Sequence, residues 1–208
     1  GQWMTGTLRK HMTKGEAALQ AHVTAAYGND GFAYFPGCFP IDYTFNPDMK
    51  YSEEGAGGLI DMYGNKAEVY DWVKELNEFF ALIQDDILSS ELKGVTSYGE
   101  YHIGFTEDEI KDLPDNECIF RGVLPNELRF VDDGVKVVSE NEIMLSVFVR
   151  GEKRRYYAVN LSSVFKNKVK ITFPAGEYEV IRNATKSLSD GMVELTLNEG
   201  EGIYIKEL

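Results

Sequence analysis

Apolar and polar residues alternate in short runs along the last third of the chain, from residue 135 onward. Alternation at every second position is typical of β-strands, and Asp-Gly and Pro-Ala-Gly turn signals separate several of the runs. The pattern predicts strands at 135–139, 143–150, 154–160, 168–173, 178–182, 192–198 and 202–206. Short strands joined by tight turns favour an antiparallel β-sandwich.

The front of the chain predicts a helix followed by a buried strand. Thr13 and Glu16 have the spacing of a capping box, in which each residue caps the backbone N–H of the other. An Ala-rich stretch over 17–26 continues the helix, and Gly28 suits the left-handed residue that ends it. The apolar run 31–35 then predicts a strand buried on both faces. A helix, a short turn and such a strand form the repeating unit of a (β/α) barrel.

A second, longer helix is predicted from Asn65, which has the N-cap position with Glu68 three residues further on. Apolar residues then recur at spacings of three and four, which indicates one buried helix face. This stripe consists of Val69, Trp72, Val73, Leu76, Phe80, Ile83 and Ile87. Core packing explains it without a cofactor.

Together these elements predict an α+β protein built in three parts. Residues 1–95 form an α/β segment like the last units of a (β/α)₈ barrel, including a long loop over 36–63. Residues 96–132 form a connector, and residues 133–208 form an antiparallel all-β sandwich. Within and beside the connector, strands are predicted at 95–103 and 117–123 and a helical turn at 107–113.

Several segments of the chain resemble the closing part of β-galactosidase-like glycoside hydrolases. The resemblance is carried by the runs 16–21, 25–28, 31–35, 57–61, 64–65 and 76–77, and by the tail segments 176–180 and 200–205. In that family a (β/α)₈ barrel is followed by a small C-terminal β-sandwich. The resemblance implies that the first helix follows barrel strand seven, that 31–35 is strand eight, and that the helix from Asn65 is the last barrel helix.

The resemblance carries over no catalytic residue. Retaining glycoside hydrolysis needs two carboxyl groups about 5–5.5 Å apart, and the family has them at the ends of barrel strands four and seven. At about 30 residues per barrel unit, the residues before 95 are too few to include the first six units. The chain therefore lacks an identifiable catalytic pair.

A substrate-binding role is nevertheless expected for residues at and after the predicted eighth strand. In a complete barrel this loop lies on the face where active sites are built. Its candidates for stacking on a sugar and hydrogen-bonding to it are Phe35, Phe39, Asp42 and Tyr43. The alternative is that the two Phe residues are core residues and that Asp42 is a turn residue.

Composition limits the classes of partner that the chain is expected to bind. A formal net charge of −13 disfavours a nucleic-acid partner, because phosphate backbones require clustered Lys and Arg. No apolar run reaches the roughly 20 residues of a membrane span. No group of Cys, His, Asp or Glu residues has the spacing of a site for a metal or another cofactor. The two cysteines are therefore interpreted as free thiols, and the three histidines as structural or surface residues. These are Cys38, Cys118, His11, His22 and His102.

Two functions remain open from the sequence. One is a C-terminal fragment of a carbohydrate-active glycoside hydrolase, inactive alone, in which the sandwich is a stabilising accessory domain. Such a fragment is expected to self-associate through exposed strand edges. The alternative is a non-catalytic carbohydrate-binding or accessory protein with an aromatic platform. Its candidate ring pair, Tyr156 and Tyr157, points to opposite faces of one strand.

Overall fold

The computed structural model describes residues 13–33, 59–60, 64–98 and 134–208. These residues form two helices and nine strands, which confirms the predicted α+β class with an antiparallel sandwich. In chain order the elements are α1 (Lys14–Ala26), α2 (Glu68–Ile87), β1 (Glu91–Tyr98), β2 (Lys136–Ser139), β3 (Ile143–Arg150), β4 (Lys153–Asn160), β5 (Asn167–Thr172), β6 (Tyr178–Arg182), β7 (Thr185–Ser189), β8 (Met192–Leu197) and β9 (Gly202–Glu207).

The strands form two antiparallel sheets that face each other across one apolar core. The larger sheet has the order β1-β3-β4-β9-β6-β7, and the smaller has the order β2-β5-β8. Tyr156, Phe173 and Tyr178 lie at the centre of this core, with the first two ring centroids 4.7 Å apart. Among the described residues, every buried residue of this core comes from the sandwich part of the chain. The sandwich therefore has a hydrophobic core that does not depend on the helices.

Both helices cover the opposite face of the six-stranded sheet. Ala26 of α1 and Ile83 of α2 pack there against Phe148 and Tyr204 of the sheet. Because this sheet is covered on both faces, β3 is buried without interruption over 143–148 and β4 over 155–160. The alternation expected for a two-layer sandwich holds for β5 but not for these central strands. The structure has three layers: small sheet, large sheet and helices.

Helix α1 begins and ends as the sequence predicts. Thr13 Oγ1 accepts a hydrogen bond from the backbone N–H of Glu16 at 3.2 Å, and Glu16 Oε2 accepts one from the backbone N–H of Thr13 at 2.9 Å. Gly28 follows the helix with a φ of 73°, in the left-handed region. Both signals act within four residues, so the sequence specifies this helix locally.

The predicted start of α2 at Asn65 is wrong. The helix begins at Glu68, and its N-cap residue is Ala67, whose side chain makes no capping hydrogen bond. An isolated antiparallel bridge joins Ile60 to Lys66 immediately before the helix. Lys66 is therefore held in extended backbone, which moves the start of the helix past the Asn65 position.

The apolar stripe predicted for α2 is confirmed in outline. Val73, Leu76 and Ile83 are buried as expected, whereas Phe80 is only partly buried. Phe79, which the stripe omits, is 2% exposed. The buried face is broader than the predicted stripe because α1 packs on one flank of α2 and the sheet packs on the other.

The strand predicted at 31–35 does not form in its described part. Gly31, Phe32 and Ala33 are exposed and belong to no strand. The Phe32 ring instead packs edge-on against Phe80 of α2, with a centroid distance of 4.9 Å. An apolar run requires contact with other apolar groups, and here a helix rather than a sheet supplies it. Residues 34 and 35 lie outside the described residues.

Two strands differ from the sequence-based expectation. β1 spans the proposed boundary at residue 95 and pairs with β3, at one edge of the large sheet. The sequence pattern does not predict β7, because its residues are almost entirely polar. These residues are nearly all exposed, since β7 forms the opposite edge of the large sheet. The elements predicted at 107–113 and 117–123 lie outside the described residues.

Candidate functional site

The residues proposed from the sequence to contact a sugar, Phe35, Phe39, Asp42 and Tyr43, lie outside the part of the chain that the structure describes. The same holds for Cys38, Cys118, His11 and His102. The remaining candidate, His22, lies between the helix layer and the large sheet. That interface contains several of the buried polar side chains that the structure describes, among them His22, Arg155 and Glu201, and it is the candidate functional site.

His22 connects α1 to the sheet. Its side chain is almost completely buried, and its Nδ1 lies 2.7 Å from the hydroxyl oxygen of Tyr157 on β4. Phe79 of α2 meets the imidazole edge-on at a centroid distance of 5.0 Å, and the Phe80 ring lies at 5.6 Å. Of the two alternatives expected for His22, a structural or a surface residue, the first applies, since the residue is enclosed by both helices and the sheet.

The His22–Tyr157 pair is electrically neutral at pH 7. Burial lowers the pKa of His22 to about 4, although the nearby Glu201 carboxylate acts in the opposite direction. Burial also raises the pKa of the Tyr157 hydroxyl well above its ordinary value. Both groups therefore keep their uncharged forms, and the contact is a neutral hydrogen bond.

Glu201 is a buried carboxylate beside this pair, and Arg182 of β6 neutralises it. The Arg182 Nε and Nη2 atoms donate to the two carboxylate oxygens at 2.7 and 2.8 Å. The backbone N–H of Asn198 donates to the same carboxylate at 2.6 Å. Burial raises the pKa of Glu201, but these hydrogen bonds outweigh it and the pKa lies below its usual value.

The turn before β9 and the first residue of that strand press directly against α1, each through a glycine. A Cβ atom placed on Gly202 would lie 2.6 Å from His22 Nδ1, and one on Gly200 would lie 2.2 Å from the carbonyl oxygen of Gly15. Gly200 also has a φ of 65°, which other residues rarely adopt. Glycine at both positions allows helix and turn to approach at backbone distance.

A second polar cluster is centred on Asp86 in the last turn of α2. Arg150 Nη1 and Arg155 Nε each donate to its carboxylate at 2.7 Å, and the Tyr204 hydroxyl donates at 3.0 Å. Burial raises the pKa of Asp86, but the hydrogen bonds from the two arginines outweigh it, so the pKa is lowered. The cluster fixes the end of α2 to β3, β4 and β9.

Described clefts at the surface are small or open. One of about 60 Å³ lies between the C-terminal ends of the helices, beside Asp30, Leu88 and Phe148. That volume equals about two water molecules in the liquid, far below the roughly 300 Å³ at which ligand pockets begin. A shallow depression beside β7, lined by Leu188 and Asp190 among others, contains no aromatic ring.

The described residues do not form the aromatic platform expected from Tyr156 and Tyr157. The two rings point to opposite faces of β4, as predicted, and each is 0% exposed because the large sheet is covered on both sides. Among the described residues, no group of three or more His, Cys, Asp or Glu side chains is placed to hold a metal ion. Neither described helix is long and apolar enough to cross a membrane.

Comparison with protein-family models, with curated proteins and with solved structures found no match to this chain. The chemistry of the candidate site is therefore inferred from the residues that form it.

Two signals in the sequence indicate the interface, although neither is strong. Glycine occurs twice within three residues, at 200 just before the last strand and at 202 where that strand begins, which is typical of close backbone approach. Asp86 interrupts the apolar end of α2 one residue before Ile87. A carboxylate beside a buried helix face requires a cationic partner, but the sequence does not indicate which cation supplies it.

Proposed function

We propose that this chain is the C-terminal part of a carbohydrate-active glycoside hydrolase and that it has no hydrolase activity alone. The sandwich then serves as an accessory domain that stabilises the α/β segment preceding it. The observation that carries the proposal is the joining of both helices to the large sheet by buried polar contacts, at His22 for α1 and at Asp86 for α2.

This joining fits an accessory domain, since such a domain stabilises its neighbour only if the two move as one body. The contacts are also specific, because each pairs groups far apart in the chain: α1 with β4, and α2 with β3, β4 and β9. The resemblance of short runs within 16–35, within 57–77 and within the tail to β-galactosidase-like enzymes is the reason for proposing a carbohydrate substrate.

Three carboxylates that contact arginine or lysine support the absence of activity. A glycosidase acid must be protonated near neutral pH, which requires a raised pKa. Asp86, Glu179 and Glu201 all have lowered pKa values instead. For Glu179 the principal cause is the hydrogen bond from Lys206. Each of the three is bound by Arg or Lys, which suits a structural ion pair and not a proton donor.

We expect no glycosidase turnover from the purified 208-residue chain with a panel of aryl glycosides. The matched comparison is a polypeptide extended in frame upstream of Gly1, which is expected to contain the missing barrel units and to hydrolyse one of these substrates. Activity that co-elutes with the 208-residue chain through successive chromatographic steps would contradict the proposal. So would an upstream reading frame that encodes no further barrel units.

The loop residues Asp42 and Tyr43 remain proposed sugar contacts within that longer polypeptide. Replacing either by alanine is expected to raise KM about tenfold, because each removes one hydrogen bond to a buried polar substrate group, worth about 1.4 kcal/mol. Steady-state kinetics measure this, with Asp85→Asn on the exposed side of α2 as the control. Unchanged KM and kcat in both variants would remove these residues from the site.

A further inference from the structure

Small side chains dock α1 onto the rest of the protein. Its buried side chains are those of Ala21, Ala25, Ala26 and His22, while Leu19 and Val23 are only partly buried. Alanine buries little apolar area, so the hydrophobic contribution to docking is small for a helix of this length. Docking of α1 therefore depends strongly on the protonation state of its one buried polar side chain, His22.

The environment of His22 suits a neutral imidazole only. Aromatic rings of Phe79 and Phe80 enclose it from α2, and the backbone at Gly202 closes it from β9 so tightly that a Cβ there would overlap the ring. The Tyr157 hydroxyl is hydrogen-bonded to the Nδ1 atom of His22. A proton gained in this enclosure brings a charge that water cannot reach while α1 is docked.

The charged groups around His22 compensate such a proton only in part, because the Glu201 carboxylate raises the pKa of His22 less than burial lowers it. From the turn before β9, Glu201 faces the site, but its carboxylate is already bound to Arg182 of β6. From β4 comes Tyr157, which burial keeps protonated. Behind it on β9 lies Tyr204, whose hydroxyl donates to Asp86 of α2.

We propose that His22 is an acid-sensitive latch, and that protonation of its imidazole releases α1 from the large sheet while the sandwich stays folded. The sandwich is expected to persist because its core between the two sheets contains no helix residue among those described. Helix α2 is expected to stay as well, since Asp86 holds it through Arg150 and Arg155. This property is independent of the proposed hydrolase origin.

The pH window follows from the two states of the imidazole. A released His22 has the ordinary pKa of 6.5, whereas the docked residue has a pKa of about 4. The released state binds the proton first, so docking weakens as the pH falls through 6.5 and stops weakening near 4. Between pH 7 and pH 5 these values give about a 20-fold fall in the docking equilibrium constant. Glu201 and Asp86 stay ionised over this range because their pKa values are lowered.

Hydrogen exchange with peptide resolution tests the latch on the full chain. At pH 5, peptides covering Lys14–Ala26 are expected to exchange about 20-fold faster than at pH 7 after correction for the intrinsic rate, while peptides from β3, β4 and β9 keep their protection. His22→Asn is the matched variant, because its amide reaches Tyr157 as Nδ1 does but cannot be protonated. It is expected to remove the pH dependence of α1.

Either of two results would overturn the proposal. One is an equal acceleration in α1 and in the sandwich strands, which is general acid unfolding. The other is an unchanged pH response in His22→Asn, with Glu201→Gln then identifying the carboxylate as the titrating group. Should the asparagine variant not fold, the NMR titration of the His22 ring in the natural chain decides. A midpoint near 4 supports the latch, and one near 6.5 in the docked state excludes it.

Discussion

Replacing Gly200 by alanine is expected to be the most destabilising glycine-to-alanine change in the part of the chain that the structure describes. The added Cβ would meet three atoms of α1, namely the Gly15 carbonyl oxygen at 2.2 Å, the Leu19 backbone nitrogen at 2.6 Å and its Cβ at 2.9 Å. Two of these belong to helix backbone, which cannot rotate away as a side chain can. The turn must separate from the helix.

The expected loss has two components. An L-residue in left-handed backbone costs about 1–2 kcal/mol, and overpacking against rigid neighbours adds about 1–3 kcal/mol or more. We therefore expect Gly200→Ala to lower the free energy of unfolding by about 4 kcal/mol, measured by urea denaturation followed by circular dichroism. Hydrogen exchange is expected to locate the loss in α1, whose buried amides lose their protection first.

Gly151 provides the matched control for this substitution. It lies in the β3–β4 turn with a φ of 64°, close to the 65° of Gly200, but a Cβ there would meet nothing within 4 Å. Gly151→Ala carries only the backbone component and is expected to cost about 1 kcal/mol. Equal losses in the two variants would show that the turn does not press on α1 and that backbone conformation alone decides both.

The difference between these glycines also shows where sequence-based prediction ends. Both residues occur in short polar turns, and the sequence predicts a turn at each place with equal ease. What distinguishes Gly200 is the helix lying across it, which contacts it through Gly15 from the opposite end of the chain. Local patterns contain no information on such a contact.

Elements specified by near neighbours are predicted well for the same reason. The Thr13–Glu16 capping box spans four residues, and β3 and β6 have the predicted bounds because turn residues flank an apolar run. The site is different, because the His22–Tyr157 bond joins positions 135 residues apart and the Tyr204–Asp86 bond joins positions 118 apart. Only the packing of helices on the sheet creates these pairs.

The third layer itself is partly visible in the sequence. Within the generally alternating pattern, β3 contains the run Val147-Phe148-Val149 and β4 the run Tyr156-Tyr157-Ala158-Val159, and adjacent apolar residues of this kind indicate cover on both sides. The sequence does not show that the cover consists of α1 and α2. Its local patterns assign both helices to a barrel, whose helices lie on strands of their own.

Removing the Asp86 carboxylate is expected to be the second large loss. The carboxylate satisfies the buried guanidinium of Arg155, whose side chain is 10% exposed, as well as Arg150 and the Tyr204 hydroxyl. In Asp86→Ala the Arg155 charge stays buried and loses its carboxylate partner, although it still donates to the backbone carbonyls of Arg154 and Glu207. Breaking a buried pair in this way costs about 3–5 kcal/mol.

We expect Asp86→Ala to lower the free energy of unfolding by about 3 kcal/mol, the lower end of that range, because Arg150 is half exposed and water can solvate it. Urea denaturation at pH 7 measures this loss. The neighbouring Asp85 is exposed, so Asp85→Ala removes the same charge from the same helix turn without breaking a described ion pair and is expected to change stability by less than about 0.5 kcal/mol. Comparable losses in the two variants would mean that Asp86 acts through net charge or helix propensity.

The pH dependence of the Asp86 variant gives an independent check with a defined sign. The pKa of Asp86 in the folded protein lies below its ordinary value of 3.8, so its stabilisation is complete above that value and is lost as the pH falls through the folded-state pKa. The difference in stability between the natural chain and Asp86→Ala is therefore expected to be constant from pH 7 to pH 5 and to shrink below about pH 4. The His22 latch changes stability between pH 6.5 and 4 by the same amount in both proteins, so its effect cancels from the difference in stability. A difference that already shrinks between pH 6.5 and 5 would mean that the two clusters are coupled through Tyr204 and Tyr157, whose rings lie 5.8 Å apart.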